Sequence, residues 1–295
     1  MKIKQTLIAA ALLILTNCGG GGSDDSDSGS GDVCSLKIFA GTLCPTSTNS
    51  VVEILFKDSA GQPIGLCSGT VIASQAVLTA AHCFDLPGFA GVDVVAGGQT
   101  ISASGHRVHP GYNPSASVTP FDAAVLFLSQ PVNAAAIPIR VSSAPSENET
   151  IRILGFGEDE SGVSLFEQGI RGTGPKAATS KIVFSEDGVF VAGSPNSGVC
   201  SGDSGGPAIL DVSDEPAVIG IAQAGAFVEG CSDSILSRSE LESIRGRPFT
   251  DSELDSLLAF SQDGGETFAV NFYTDASFPG VVDFITSNVP GVNLK

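Results

Sequence analysis

Short apolar runs separated by Gly, Pro, Ser and Asn dominate the sequence beyond residue 34. These runs are rich in β-branched residues and are bounded by turn-forming residues. They lie at residues 51–56, 70–81, 92–97, 123–128, 151–157, 181–184, 189–193, 207–210 and 217–225. Short β-branched segments at regular spacing are typical of an all-β sandwich or barrel. We therefore predict an all-β domain.

Residues 232–262 depart from this pattern. Two pairs in this stretch have the spacing of helix capping boxes, in which a Ser or Thr and a Glu three residues later cap a helix start. The pairs are Ser237 with Glu240 and Thr250 with Glu253, and Leu254, Leu257 and Leu258 follow at helical spacing. We predict two short helices near the C-terminus, within an insertion of about residues 232–270.

The first eighteen residues have the pattern of a signal peptide. Lys2 and Lys4 precede an apolar stretch that is too short to span a bilayer, since a spanning helix takes about 20 residues. The stretch ends Leu15-Thr16-Asn17-Cys18, which resembles a bacterial lipobox, whose cysteine is lipidated and becomes the new N-terminus. The alternative is an ordinary signal peptide that is cleaved nearby, with Cys18 discarded.

Residues 19–33 are almost entirely Gly, Ser and Asp, and have too little apolar surface to form a core. We interpret residues 19–37 as a solvated tether. By resemblance to Gram-negative lipoproteins, the glycine after Cys18 favours the outer membrane over the inner one. We therefore expect a protein of the bacterial cell envelope, held to the membrane by an N-terminal lipid, or a secreted protein if Cys18 is not lipidated.

The amino-acid composition indicates a globular protein that does not bind nucleic acid. The chain has 295 residues, of which 42% are hydrophobic, enough for a substantial core. Thirty-two acidic residues against fourteen basic ones give a net charge of -18. The negative electrostatic field of such a chain repels the phosphate backbone of DNA and RNA, so we expect no nucleic-acid partner.

Cysteine usage also fits an exported protein. Without Cys18, six of the seven cysteines remain, and an even number in an exported chain indicates disulfides. Six cysteines allow 15 pairings, among which the spacing alone does not choose. The sequence has no CxxC pair or spaced His/Cys set, so we expect no structural zinc site.

Three segments carry residue types that cooperate in nucleophilic catalysis. His82 ends an apolar run, Asp122 leads into a strand, and Ser204 stands among the glycines of Gly202-Asp203-Ser204-Gly205-Gly206-Pro207. Taken singly, these residues fit a structural histidine, a solvated strand start and a turn. Taken together, they fit serine hydrolysis, because a serine hydroxyl needs an adjacent base and a histidine base needs an orienting acid.

At these residues the chain resembles the trypsin/chymotrypsin family of serine endopeptidases. The resemblance rests on TAAHC at residues 79–83 and GDSGGP at residues 202–207, in the family's order His, Asp, Ser. It implies two perpendicular six-stranded antiparallel β-barrels in a protease domain of residues 38–295. It also implies catalytic roles for His82, Asp122 and Ser204, and an oxyanion hole made by the N–H groups of Gly202 and Ser204. Weaker similarities lie at HPGYN (109–113), LGFG (154–157) and FVAG (190–193).

The same resemblance implies a disulfide pattern and an activation site. Cys67 would pair with Cys83 and Cys200 with Cys231, and we pair the two that remain, Cys34 and Cys44. Cleavage after Lys37, at the end of the tether and propeptide, would free Ile38, whose new ammonium would insert beside Asp203. The Cys34–Cys44 bond would then keep the activated protease on its tether.

Substrate preference follows from the position that the resemblance assigns to the base of the specificity pocket. Gly198 stands there, and Gln223 and Gly225 stand in the segment that lines the pocket. A glycine supplies no anion to pair with Lys or Arg, so we predict cleavage after small or medium apolar residues.

The sequence thus predicts a monomeric serine endopeptidase that needs no cofactor or metal and acts on protein or peptide substrates through an acyl-enzyme. Two alternatives stay open. One is a binding protein on a protease scaffold, which the presence of all three triad residues argues against. The other is an esterase-like hydrolase without significant endopeptidase activity.

Overall fold

The computed structural model describes residues 37–43, 50–158, 176–195, 198–212, 215–225, 236–261 and 263–295. The predicted signal peptide, the tether up to residue 36, and Cys18, Cys34, Cys44 and Cys231 lie outside these residues. None of the described helices is long and apolar enough to cross a membrane.

Six antiparallel strands close into a first barrel, in the order β2-β3-β4-β7-β6-β5. They are β2 (Val51–Lys57), β3 (Pro63–Ala73), β4 (Ala76–Thr79), β5 (Gly91–Ala96), β6 (Gln99–Val108) and β7 (Ala124–Leu128). The apolar run 70–81 holds the end of β3 and all of β4, with a turn at Ser74 and Gln75. The interior is filled by the β-branched and leucine side chains that marked the strands in the sequence, such as Ile54, Val77 and Leu126.

A second barrel closes through pairing of β8 with β9, in the order β8-β9-β10-β15-β12-β11. Its strands are β8 (Thr150–Gly155), β9 (Lys176–Glu186), β10 (Val189–Gly193), β11 (Pro207–Val212), β12 (Glu215–Gly225) and β15 (Val270–Asp275). An additional strand, β1 (Lys37–Leu43), pairs antiparallel with β9 at its outer edge. Two closed six-stranded antiparallel barrels confirm the predicted all-β fold.

The insertion contains the two predicted helices, α1 (Arg238–Arg245) and α2 (Asp251–Leu258). Both begin with complete capping boxes, at Ser237 and at Thr250. Two short strands, β13 (Leu236–Ser237) and β14 (Thr267–Phe268), pair and bring the ends of the insertion together. The insertion packs its apolar face on the second barrel, in a cluster that includes Phe184, Leu241, Leu257, Phe260 and Phe272.

A third helix, α3 (Pro279–Asn288), was not predicted from the sequence. Its first residue is proline, which fits the first turn of a helix because its missing N–H has no partner to lose there. Val281, Phe284 and Ile285 then follow at helical spacing and are buried. They belong to an apolar cluster that contains the core of the first barrel and extends to residues of the second, including Ile209 and Val218. The interior of the second barrel forms its own cluster, which includes Ile153 and Phe190.

Candidate active site

Strand β4 delivers His82 to the surface. The apolar strand ends at Thr79, the next two residues, Ala80 and Ala81, are fully buried, and a short 3₁₀ helix, His82–Asp85, follows. The small alanines bring the backbone of this segment close to the core, and the side chain of His82 is 31% exposed. The backbone before His82 is therefore held in the core, while the imidazole is partly open to solvent.

Asp122 lies directly before β7, and its side chain is almost fully buried. Its Oδ2 is 2.7 Å from His82 Nδ1, and its Oδ1 accepts the backbone N–H of His82 at 2.9 Å. An ionised carboxylate only accepts hydrogen bonds, so Nδ1 carries the ring proton and Nε2 is left as the basic nitrogen. Two bonds to one residue fix both the tautomer and the plane of the imidazole.

A chain of buried hydrogen bonds supports Asp122 from the second barrel. Thr274 Oγ1 donates to the backbone carbonyl of Asp122 at 3.3 Å, and Gln223 Nε2 donates to Thr274 Oγ1 at 2.9 Å. Gln223 Oε1 in turn accepts the N–H of Thr119 at 3.0 Å. Gln223, which we expected along the specificity pocket, thus uses its side-chain amide to connect the barrels behind Asp122.

Ser204 lies in the turn before β11, against the histidine segment. Its carbonyl oxygen accepts the N–H of Ser68 at 2.8 Å and lies 3.8 Å from Cys83 Sγ. Gly205 has a φ of +80°, and a Cβ on it would stand 2.1 Å from Thr79 Oγ1, so only glycine fits this approach. In the described residues no hydrogen bond joins the Ser204 hydroxyl to His82. Such bonds often form fully only in the substrate complex.

The backbone of the serine segment leaves two suitable donors unused. The N–H groups of Cys200, Asp203, Gly205 and Gly206 all donate within the protein. Across the part of the chain that the structure describes, the N–H groups of Gly202 and Ser204 make no such bond. These are the two groups that the sequence assigned to the oxyanion hole.

Asp203 points away from Ser204 into the protein and is buried. Its Oδ1 accepts the N–H of Gly157 at 2.7 Å, and its Oδ2 accepts the N–H of Cys200 at 2.9 Å. A Cβ on Gly155 or on Gly157 would lie 2.1 Å or 2.6 Å from the Asp203 carboxyl group, which explains both glycines of the LGFG segment. Lys37 and Ile38, the predicted cleavage site, lie in β1 beside β9.

Two of the predicted specificity-pocket residues, Gly198 and Gly225, lie near one another. Gly198 is buried, and the N–H of Val199 donates to Asn271 Oδ1 at 2.9 Å. Gly225 packs directly on Val199, since a Cβ on Gly225 would be 2.0 Å from the Val199 carbonyl oxygen. No motif assigned a role to Asn271, a buried polar residue of β15 whose side chain braces this region. Residues 226–235, between β12 and the insertion, lie outside the described residues.

A buried tyrosine contributes to the electrostatics of this region. The Tyr273 ring stacks on Phe190, and its hydroxyl has no hydrogen-bond partner among the described residues. Burial, and then the nearby charge of Asp203, raise the pKa of this hydroxyl well above its usual value. Tyr273 is therefore a neutral group in the interior of the second barrel.

The histidine segment is held by the predicted Cys67–Cys83 disulfide, with an S–S distance of 2.04 Å. Cys200 is also disulfide-bonded, to a partner outside the described residues. Its predicted partner, Cys231, lies there, as do Cys34 and Cys44. Among the residues that the structure describes, no group of His, Cys, Asp and Glu has the arrangement of a metal site.

Two closed barrels, with a hydrogen-bonded His–Asp pair on the first and a glycine-framed serine on the second, define a serine endopeptidase of the chymotrypsin-like fold. The family model described as Trypsin matches residues 44–236, about two thirds of the chain. The chain therefore belongs to the trypsin family.

Two curated relatives agree with this assignment. The chain is 32% identical over 185 residues to a trypsin of Saccharopolyspora erythraea, an alignment that covers 56% of this chain and 77% of the relative. It is 26% identical over 162 residues to trypsin beta of Drosophila erecta, covering 48% of this chain and 63% of that protein.

Proposed function

We propose that this protein cleaves peptide bonds with His82, Asp122 and Ser204 as its catalytic triad. The single observation that carries the proposal is the double hydrogen bond between His82 and Asp122, beside the turn that presents Ser204. This arrangement leaves His82 Nε2 as a base of the correct tautomer. Membership of the trypsin family supports the same chemistry.

In the acylation step, Ser204 Oγ bonds to the scissile carbonyl carbon and its proton passes to His82 Nε2. Asp122 stabilises the imidazolium that results. The N–H groups of Gly202 and Ser204 bind the oxyanion of the tetrahedral intermediate, which then loses the amine as its C–N bond breaks and the amine takes the proton from His82. Water repeats the sequence on the acyl-enzyme and releases the carboxylic acid.

A fluorophosphonate probe and casein hydrolysis test this proposal together. We expect the probe to label the protein that has been cleaved after Lys37 and this form to cleave casein, and Ser204→Ala to abolish both. Ser201→Ala is the matched control, because Ser201 is an exposed serine three residues away on the same loop, and we expect it to retain both activities. Absence of labelling would favour a binding protein, whereas labelling without casein cleavage would favour an esterase-like hydrolase.

For the substrate, we propose cleavage after small or medium apolar residues. Gly198 provides no anion to pair with the side chain of Lys or Arg, which favours apolar side chains before the scissile bond. A panel of peptides differing only in the residue before the scissile bond tests this preference. Higher kcat/KM for Arg than for Ala, Val, Leu or Phe would contradict it.

We also propose that the protease is made as a zymogen. Cleavage after Lys37 would free the ammonium of Ile38, and the buried Asp203 carboxylate is the group with which it would pair. The proposed Cys34–Cys44 bond would span the cut. Gels of cleaved protein with and without reductant test this bond, and release of the catalytic domain without reductant would contradict it.

Finally, we propose that the protease acts as a monomer at the cell envelope, on a lipid attached to Cys18. Mass spectrometry of the mature protein would report the lipid, any cut at Ile38 and the disulfide map. A variant in which residues 1–18 are replaced by a cleavable signal peptide without a lipobox should be recovered as soluble protein if the lipid anchors the native one. Light scattering of that soluble variant tests the monomer.

A further inference from the structure

Ser68, on β3 of the first barrel, has every polar atom engaged. The residue is fully buried, and its hydroxyl donates to the carbonyl of Gly202 at 2.9 Å while accepting the N–H of Phe156 at 2.9 Å. Its backbone N–H donates to the Ser204 carbonyl at 2.8 Å, and its own carbonyl accepts Thr79 Oγ1 at 2.8 Å. One side chain of the first barrel thus contacts two segments of the second.

The Gly202 carbonyl belongs to the peptide between the two unused N–H donors. Gly202 has no Cβ to restrict rotation, and its φ of +94° lies in the region that favours glycine. On the other side, the carboxyl group of Asp203 is fixed by the N–H groups of Gly157 and Cys200. The N–H of Asp203, at the far end of the same peptide, donates to the Cys200 carbonyl at 2.9 Å. The Ser68 hydroxyl holds the Gly202 carbonyl, and the two bonds together fix the direction of the peptide plane between the donors.

We propose that Ser68 is a positioning residue for the oxyanion hole. Its hydroxyl holds the Gly202 carbonyl so that the N–H groups of Gly202 and Ser204 converge on one point. This inference rests on the proposed serine-protease function. Ser68 does not touch the reacting atoms, and it acts through the backbone of the serine segment.

Ser68→Ala removes the hydroxyl and keeps the backbone contacts. We expect kcat to fall about 10- to 100-fold, which is no more than the loss of kcat when one oxyanion donor is deleted. KM should change less than about two-fold. A peptidyl aldehyde, whose adduct with Ser204 carries an oxyanion, should bind more weakly by the same factor as kcat/KM. The matching peptide alcohol, which forms no adduct, should bind as it does to the wild type.

Ser180→Ala is the matched control for loss of a buried hydroxyl. Ser180 on β9 is also buried, and its hydroxyl donates to a glycine carbonyl, that of Gly193, at 2.9 Å. Both alanine variants should lower Tm by similar amounts, and only Ser68→Ala should lower kcat. Equal kcat values for Ser68→Ala and wild type, or equal losses of aldehyde and alcohol binding, would overturn the proposal.

Ser68→Thr and Ser68→Val provide a second comparison if Ser68→Ala does not fold. The Thr and Val side chains have the same shape, and Thr has a hydroxyl where Val has a methyl group. The Thr variant should exceed the Val variant in kcat, and similar values would contradict the role of the hydroxyl. A wild-type protein that, after cleavage at Lys37, neither reacts with a fluorophosphonate nor cleaves casein would instead contradict the proposed function.

Discussion

Both carboxylate oxygens of Asp122 accept hydrogen bonds from the same residue, His82, one from its ring at 2.7 Å and one from its backbone at 2.9 Å. The backbone bond fixes where the carboxylate stands, and the ring bond fixes how the imidazole is turned. Asp122 is buried just before β7, and its backbone carbonyl accepts Thr274 Oγ1 from the second barrel, so both barrels contribute to this orientation. The proposed base is therefore oriented before any substrate arrives.

Asp122→Asn should lower kcat about 10⁴-fold at neutral pH, because an amide in this place can donate to Nδ1 and so favour the wrong tautomer of His82. The side chain keeps its shape, so Tm should change little. Steady-state kinetics with an apolar peptide substrate measure the effect. A loss smaller than ten-fold would mean that Asp122 does not orient the base.

Replacing Cys67 and Cys83 together by alanine should lower the free energy of unfolding by about 3 kcal/mol. The two cysteines are 16 residues apart in sequence, and a bond that closes a loop of this length restricts the unfolded chain by that amount on the chain-entropy model. Urea unfolding of the wild type and the double variant, both without reductant, measures the difference. A change below about 1 kcal/mol would contradict the prediction.

Gly205→Ala should destabilise the protein by several kcal/mol and abolish most activity. The added Cβ would meet Thr79 Oγ1 and the Ser68 carbonyl oxygen, at 2.1 Å and 2.5 Å, and would displace the serine segment. Gly246→Ala is the control, since Gly246 also has a positive φ, +78°, but open space around it. It should cost only about 1–2 kcal/mol and leave kcat unchanged. Similar losses of stability in both variants would show that the positive φ, and not the contact with Thr79 and Ser68, causes the effect of Gly205→Ala.

Acid should weaken an ion-pair network in the insertion. Arg245 is buried between the rings of Phe184 and Phe249 and binds Glu186 and Glu253. Its hydrogen bond holds the pKa of Glu253 far below the usual value. Because the folded pKa is depressed, the stabilisation is present above the unfolded pKa, about 4.3, and is lost as the pH falls towards the folded pKa.

Glu253→Gln should therefore destabilise the protein by about 1–3 kcal/mol at pH 7, and this difference should shrink below pH 4. Urea unfolding across pH 3 to 8 measures it. Asp255→Asn, an exposed change on the same helix, is the control and should shift stability by less than about 0.5 kcal/mol. If the difference in stability between the wild type and Glu253→Gln is unchanged at pH 3, the pKa of Glu253 is not lowered in the folded protein.

Local patterns in the sequence predicted much of this fold. The β-branched runs became strands, and the two capping boxes marked the starts of α1 and α2, because both signals depend on neighbours within a few residues. Strand β6 was missed, since its alternation is weak and Ile101 is its one fully buried residue. The spacing of Val281, Phe284 and Ile285 after Pro279 could have revealed α3.

The supporting residues of the candidate site were harder to predict. His82, Asp122 and Ser204 were found through motifs, and their catalytic roles stay predictions. Ser68 and Asn271 act on segments 134 and 72 residues away in sequence, and nothing in their local context marks these contacts. Gln223 was expected at the pocket, and its amide bonds to Thr119 and Thr274 depend on how the two barrels meet.

The packing of the insertion on the second barrel also determines how this part of the molecule unfolds. Leu241 of α1 and Leu257 of α2 share an apolar cluster with Phe272 of β15, and Arg245 ties α1 to Glu186 on β9. The helices cannot open without exposing the outer surface of these strands. Their amide hydrogens should accordingly exchange with solvent in the same cooperative event as those of the adjoining sheet.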